Sequence, residues 1–492
     1  MEHIENKKNK KSSVISRFLS FFKNLGLGIV NGFINLGQKI KNGCTKFYKR
    51  FMDGSLGTKL SHLIMGAGNF YHKQFLKGLI YLSIQAGFLY LMITSPKVNN
   101  TPIGFKSLSN LITLGTEPGD FFTPTDNSML MLLFGVVVLG IIGMFIMAYN
   151  SNIKSSYKAD MDKRKNKKPT SFKEDIKSLL DERFHVALLT PAMIGVLIFT
   201  ILPTIFMILI AFTNFDKEHT AGLHLIDWVG FQNFADIFSG TGEISRRFLP
   251  VLSWTLIWAF FATTTNYIGG ILLALLINKK EVKLKKLWRT VFVITIALPQ
   301  FVTLLAMRSL LSNGGPVNQM LVTIGLMQAN EPFEVLAFAS SPWIARTAII
   351  LINIWIGVPY TMLMTSGILM NVPSELYEAA QIDGATKRQA FFNITIPYIV
   401  FVTTPYLITS FIGNITSFNV IFLLTGGLPR AAGGAIAGET DLLVTWLYKL
   451  TIEQNDYNLG SVIAIMTFII TASATLISYR RSKSYKEEDA FQ

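Results

Sequence analysis

Eight apolar runs, most of them close to 20 residues or longer, decide what this chain can fold into. About 20 consecutive apolar residues in a helix cross a hydrocarbon core. Inside that core every backbone N–H and C=O must find a partner in the segment or its bundle. The runs lie at Gly78–Ile93, Met129–Ala148, Val186–Phe212, Phe248–Ile277, Leu287–Leu311, Ile344–Met370, Tyr398–Leu424 and Leu459–Ser478. The first is the shortest and follows a glycine-rich stretch. Composition agrees: half the residues are hydrophobic, 15% are charged and 38 are phenylalanine. A soluble domain carries about a quarter charged residues. The expected fold class is therefore all-α, a polytopic helical membrane protein with about eight transmembrane helices.

The connecting segments alternate in charge. Residues 1–50 hold eleven Lys and Arg, including Lys39, Lys41, Lys46, Lys49 and Arg50. The segment after the second run holds Lys163, Arg164, Lys165, Lys167 and Lys168, and the one after the fourth runs from Lys279 to Lys286. By contrast, Ser312 to Trp343 contains no Lys or Arg. Positive loops stay in the cytoplasm, so every second loop and both termini are expected inside. The net charge of +15 is read as this orientation signal, not as a nucleic-acid surface. The single cysteine, Cys44, excludes an intramolecular disulfide and a cysteine metal cluster. No cleavable signal peptide is apparent, and residues 14–36 read as an interfacial amphipathic helix. The expected organisation is a basic extension (1–76), two membrane helices (77–150), a charged cytoplasmic linker (151–185) whose stretch from Lys154 to Lys177 reads as a solvated connector, a membrane core (186–480) with an inner loop at 371–397, and a cytoplasmic tail (481–492).

That inner loop is polar and rich in small residues. Pro373 suits a first helical turn, Ser374 to Asp383 reads as a helix, and Gly384 sits where a helix ends. Leu376, Ala379 and Ala380 share one face, while Glu375, Glu378 and Gln381 lean the other way. Thr386 to Ile396 forms a second amphipathic piece, closed by Pro397. The loop is either a docking surface or a passive segment packed on its own bundle.

The string Glu378-Ala379-Ala380-Gln381-Ile382-Asp383-Gly384-Ala385-Thr386, with Ile394 and Pro397 after it, resembles the EAA loop of permease subunits of ATP-binding-cassette (ABC) importers, in their carbohydrate branch. Trp228-Val229-Gly230-Phe231-Gln232-Asn233-Phe234, Thr425-Gly426-Gly427-Leu428-Pro429 and the stretch Thr440 to Trp446 resemble external motifs of sugar permeases. The resemblance covers roughly residues 186–480 and points to the larger, maltodextrin-type subunit with a type I ABC importer fold. It implies that Glu378, Ala379, Ala380 and Gly384 couple to an ATPase. It also implies a smaller second permease, an ATPase dimer carrying ATP and Mg, an extracellular solute-binding protein, an oligosaccharide substrate, and a place in the bacterial cytoplasmic membrane. One departure is the short loop between the third and fourth runs, where enterobacterial relatives carry a periplasmic domain. It suits a cell whose binding protein is tethered close to the membrane.

A sugar path needs amides, hydroxyls and aromatic faces, and polar groups in a membrane mark such paths. Asn353, Gly357 and Tyr360 recur on one helical face, beside Pro359, which is placed to bend the helix. Ser410, Asn414 and Ser417 share another face. For each, a helix–helix hydrogen bond is the alternative. The resemblance adds Ile356 and aligns Asn353, Ile356, Gly357, Tyr360, Ser410 and Asn414 with sugar-facing positions, with Gly413 where the family carries an aromatic. Asn266 and Gln300 are weaker candidates. Gly269 and Gly270 read as close-packing residues, and Arg308 as a snorkelling side chain. The chain has no phosphate-binding G-x-x-x-x-G-K-[ST] loop, no H-E-x-x-H and no mid-span histidine. It is expected to be no enzyme and to bind no cofactor or metal of its own. A secondary carrier or receptor working without ATP is the competing class. It calls for intramembrane charges and repeated halves, which are not evident.

Overall fold

The computed structural model describes residues 32, 34–35, 37–39, 41–116, 126–219, 224–279, 281–312, 314–326 and 341–481. The expected amphipathic stretch at 14–36 lies almost wholly outside them, as do parts of the 312–343 loop and the tail beyond 481. Among the described residues, seven helices are long and apolar enough to cross a membrane. We label them with the shorter helices that matter to the site: α1 (Phe75–Thr94), α2 (Ser128–Arg164), α3 (Phe184–Ile210), α4 (Gly242–Asn278), α5 (Lys285–Ala297), α6 (Gln300–Leu310), α7 (Pro342–Met370), α8 (Ser374–Ile382), α9 (Lys387–Ile415), α10 (Phe418–Leu424) and α11 (Tyr457–Arg481). The only paired strands among the described residues are Lys97–Val98 with Thr101–Pro102.

Three expectations need correction. The run Leu287–Leu311 is not one helix: α5 and α6 meet at 91°. Leu298 and Pro299 are both extended there, because a residue before proline is pushed out of the helical region. The run Tyr398–Leu424 is also broken. α9 stops at Ile415 and Ser417 stands at the N-cap position of the separate α10, so Ser417 does not continue the face of Ser410 and Asn414. Thirdly, Pro397 closes nothing. The helix passes from Lys387 through a wide π turn at Phe391–Thr395, where Ile396 N–H bonds Phe391 O, and runs on to Ile415. A similar turn at Leu197–Ile201 precedes Pro203. Each widened turn stands just before a ring that cannot donate to the ladder. Pro359, by contrast, sits inside α7 with the helix unbroken.

The contacts divide the chain into two compact units, 1–115 with 126–203 and 116–125 with 204–492. In the first unit α2 runs 37 residues, past the membrane run and into the charged stretch. Its Asn152, Ile153, Ser156, Ala159 and Asp160 are buried, so one face of the segment expected to be solvated is packed at its start. Asn152 Oδ1 accepts from Gly66 N–H at 2.8 Å, and Asp160 Oδ2 accepts from Ser55 N–H at 2.8 Å. Lys77, also buried, pairs with Asp175 and donates to Thr170 O at 2.6 Å.

In the second unit α4 and α7 approach closely because glycine faces the neighbour. A Cβ on Gly269 would stand 2.7 Å from Val358, and one on Gly270 would stand 2.4 Å from Thr361. Such small-residue seams are how membrane helices gain packing without a hydrophobic drive. Trp254, Trp258, Leu304, Ile349, Ile421 and Leu424 fill the core beside this seam. The external motifs are structural clamps. Buried Asn233 donates to Ala211 O at 2.9 Å and Thr213 O at 2.7 Å, tying off the end of α3. Asp441, fully buried, accepts from Gly438 N–H, Thr445 Oγ1 and Lys449 Nζ at 2.7, 2.8 and 2.7 Å. Burial pushes that carboxyl up, and Lys449 with the other donors pulls it back.

Candidate functional site: a polar cavity and an exposed inner helix

A cavity of about 450 Å³ opens where α4, α7 and α9 surround the α5–α6 break. All six residues aligned with sugar-facing positions line it: Asn353, Ile356, Gly357 and Tyr360 from α7, and Ser410 and Asn414 from α9. The weaker candidates Asn266 and Gln300 line it too. Sequence reasoning named Gln300 but missed Tyr406, the break itself and its other lining residues, Thr295 to Pro299 and Thr303. The Leu298-Pro299 step was the available signal, since X-Pro disfavours helix. There the first N–H groups of α6 and the last carbonyls of α5 lack helical partners. Irregular backbone is tolerated at membrane depth where it lines a cavity.

The lining is amide, hydroxyl and ring. Asn353 is 5% exposed and its Nδ2 has no hydrogen-bond partner. Asn266 Oδ1 is buried and likewise unpaired. Two unsatisfied amide atoms on side chains that line one cavity are costly, and one is a donor and the other an acceptor. Asn266 lies over Gly357, where a Cβ would stand 2.1 Å from its Nδ2. Asn414 behaves differently. Its Nδ2 donates to Thr263 Oγ1 at 2.9 Å and its backbone O accepts from Trp258 Nε1 at 3.1 Å. The helix–helix hydrogen bond is thus present at Asn414 and absent at the Asn353 Nδ2. Tyr360 and Tyr406 place their rings 6.0 Å apart at 31°, with Tyr360 half exposed. None of the described lining residues is charged.

The expected coupling residues fall on α8 and its cap. Glu378, Ala379 and Gly384 are exposed and Ala380 is half-buried. Tyr377 and Ala380 mark the face turned to the chain's own bundle, so the expected apolar face of Leu376, Ala379 and Ala380 is turned by one position. Leu376 and Ile382 stand 44% and 86% exposed. Gly384, at φ +74°, ends the helix, and Ala385 N–H bonds back to Ala380 O at 2.8 Å. That left-handed turn is where glycine is favoured. Thr386 and Gln389 then cap each other to start α9, and Tyr377 Oη meets Thr395 Oγ1 at 2.8 Å, tying α8 to it.

Comparison with known proteins agrees with this architecture. Residues 266–482 match the family described as binding-protein-dependent transport system inner membrane component. The galactooligosaccharides transport system permease protein GanP of Bacillus subtilis (strain 168) is 35% identical over 87% of this chain and 98% of its own length. The maltodextrin transport system permease protein MdxF of the same organism is 34% identical over 87% and 96%. MalF of Escherichia coli (strain K12), a maltose/maltodextrin transport system permease protein, matches at 32% over 52% of this chain and 49% of its own length. A solved bacterial ABC transporter involved in the import of the acidic polysaccharide alginate superposes with TM-score 0.50 and 25% identity, over 63% of this chain and 98% of that one. The chain belongs to the permease subunits of ABC-type, binding-protein-dependent importers, in the maltodextrin-type branch. It is a multi-pass membrane protein.

Proposed function

We propose that this chain pairs with a smaller permease to carry a neutral di- or oligosaccharide inward across the cytoplasmic membrane. The energy comes from a separate ATPase dimer that holds ATP and Mg, and an external solute-binding protein delivers the sugar. The chain itself catalyses no reaction. The observation that carries the reading is the uncharged, amide-and-hydroxyl cavity with two unpaired asparagine groups. Neutral hydroxyls suit it, whereas a polyanion of the alginate kind would find no described cation there. A proton- or ion-coupled carrier would need an ionisable group in the same place.

The transmission is mechanical. With the Lys-rich loops and both termini inside, α8 faces the cytoplasm and offers Glu378, Ala379 and Gly384 to the ATPase. The Tyr377–Thr395 bond passes its displacement to α9. At about 1.5 Å rise per residue, α9 carries it from Thr395 roughly 22 Å to Ser410 and roughly 28 Å to Asn414 at the cavity. The π turn at Phe391–Thr395 is the place where that lever can flex. Sugar held by Asn353, Ile356, Gly357, Tyr360, Ser410 and Asn414 would then exchange between outer and inner access. Only contacts that differ between the two states can drive such a switch.

The test is uptake of labelled maltodextrin by proteoliposomes holding this chain, its smaller partner and the ATPase, with binding protein outside. Uptake should require internal ATP. Asn353→Ala and Asn414→Ala should each reduce it tenfold or more, as loss of a buried polar contact costs about 1–3 kcal/mol. ATP-independent uptake would overturn the reading, and unchanged uptake in both variants would remove those residues from the path.

A further inference from the structure

The first unit holds a second cavity that the transport reading leaves unused. We propose that it is a site for an anionic phospholipid headgroup at the inner end of α2. A cleft of about 570 Å³ is lined by Lys46 and Arg50 on one side and by Met147, Asn150, Ser151 and Lys154 on the other. Lys46 and Arg50 belong to a helix covering 41–53, and their four-residue spacing sets both on one face. Asn150 and Lys154 repeat that spacing on α2. Among the described residues, none of the three cations is ion-paired with an Asp or Glu, and no acid lines the cleft.

The arrangement is held in place. Phe47 and Phe51 set their rings edge-on to His62 at 5.0 and 5.2 Å, and Phe47 lies 6.3 Å from Tyr149. Tyr149 Oη donates to His62 O at 2.7 Å. The aromatic clasp fixes the 41–53 helix against α2, so the cations are positioned by packed rings on the neighbouring face.

A membrane lipid fits this cleft better than a soluble anion. On its membrane side α2 leaves Met144, Ile146 and Met147 38%, 52% and 62% exposed. The apolar surface therefore runs directly up to the basic rim. A phosphate alone gains nothing from that wall, whereas an acyl chain lies along it with its headgroup among Lys46, Arg50 and Lys154. Basic pockets beside membrane helices on the cytoplasmic side, where anionic lipids lie, bind such headgroups. The inference rests on the inside orientation proposed above.

The experiment places the full chain in nanodiscs of equal phosphatidylglycerol and phosphatidylcholine, then counts lipids retained through delipidation by native mass spectrometry. Phosphatidylglycerol should be retained in preference. Lys46→Ala, Arg50→Ala and Lys154→Ala combined should cut that preference on the order of a hundredfold, from about 1 kcal/mol per cation near the surface. Removing equal charge with Lys165→Ala, Lys167→Ala and Lys168→Ala should leave it intact. The charge-keeping set Lys46→Arg, Arg50→Lys and Lys154→Arg should retain the lipid, which separates lost charge from lost fold. Equal loss in both alanine sets overturns the site, since bulk surface charge then explains retention. So does free glycerol phosphate binding as tightly as the lipid, because the occupant is then a soluble anion. Retention is read without sugar or nucleotide, so a failure of transport leaves it standing, and normal uptake does not rescue it.

Discussion

Two glycines on the α4–α7 seam separate packing from site. A methyl group on Gly270 would meet Thr361 Cβ at 2.4 Å and the Met362 backbone nitrogen at 2.9 Å. Backbone cannot step aside, so Gly270→Ala should force the helices apart at about 1–3 kcal/mol. A lowered temperature of heat-induced precipitation in detergent would report it. On Gly357 the three atoms nearest the methyl all belong to the amide end of Asn266, which can rotate. Gly357→Ala should therefore leave thermal stability nearly unchanged and still weaken sugar uptake, because the displaced amide enters the cavity. Equal stability losses in the two variants would contradict this division. The sequence reads Gly270 as a close-packing residue and Gly357 as one of a sugar-facing set, and the neighbour each one meets gives the physical difference.

At the scale of elements, α8 is a short helix with two exposed apolar side chains and a glycine stop. Nothing lies within 4 Å of a Cβ at Gly384, so substitution there acts on backbone conformation alone. Gly384→Val should cost about 1–2 kcal/mol locally by disfavouring the left-handed turn. ATP-driven uptake should fall sharply while sugar binding to the isolated chain persists. Loss of binding as well would show that the turn supports the fold at large and not the coupling surface. The elements also show where hydropathy reasoning stops. Leu287–Leu311 is apolar enough to cross a membrane, and composition is all a hydropathy window measures. The 91° bend between α5 and α6 follows from one proline, and it brings Thr295 to Gln300 and Thr303 to the cavity. Pro397 teaches the converse. A proline that reads as a terminator is absorbed by a π turn, and α9 keeps its reach from the inner loop to Asn414.

For the whole molecule, orientation carries the proposal, since α8 must face the ATPase and the basic cleft must face the inner leaflet. Cys44 is the sole cysteine and is exposed on the 41–53 helix. A membrane-impermeant maleimide should label it in inverted vesicles and leave it untouched in intact cells. Labelling from outside would reverse every loop assignment and sink the coupling reading. The sequence by itself determined the helical membrane class, the approximate spans, the expected sidedness and the identity of the α8 motif. Those depend on local composition and spacing, which the chain carries in order. Tertiary structure decided that six residues from two helices converge on one cavity, that the Asn353 Nδ2 stays unpaired while Asn414 is bonded, and that one face of the charged segment is buried between Asn152 and Asp160. These depend on which distant segments touch, and helix packing sets that through the shapes of side chains far apart in the sequence.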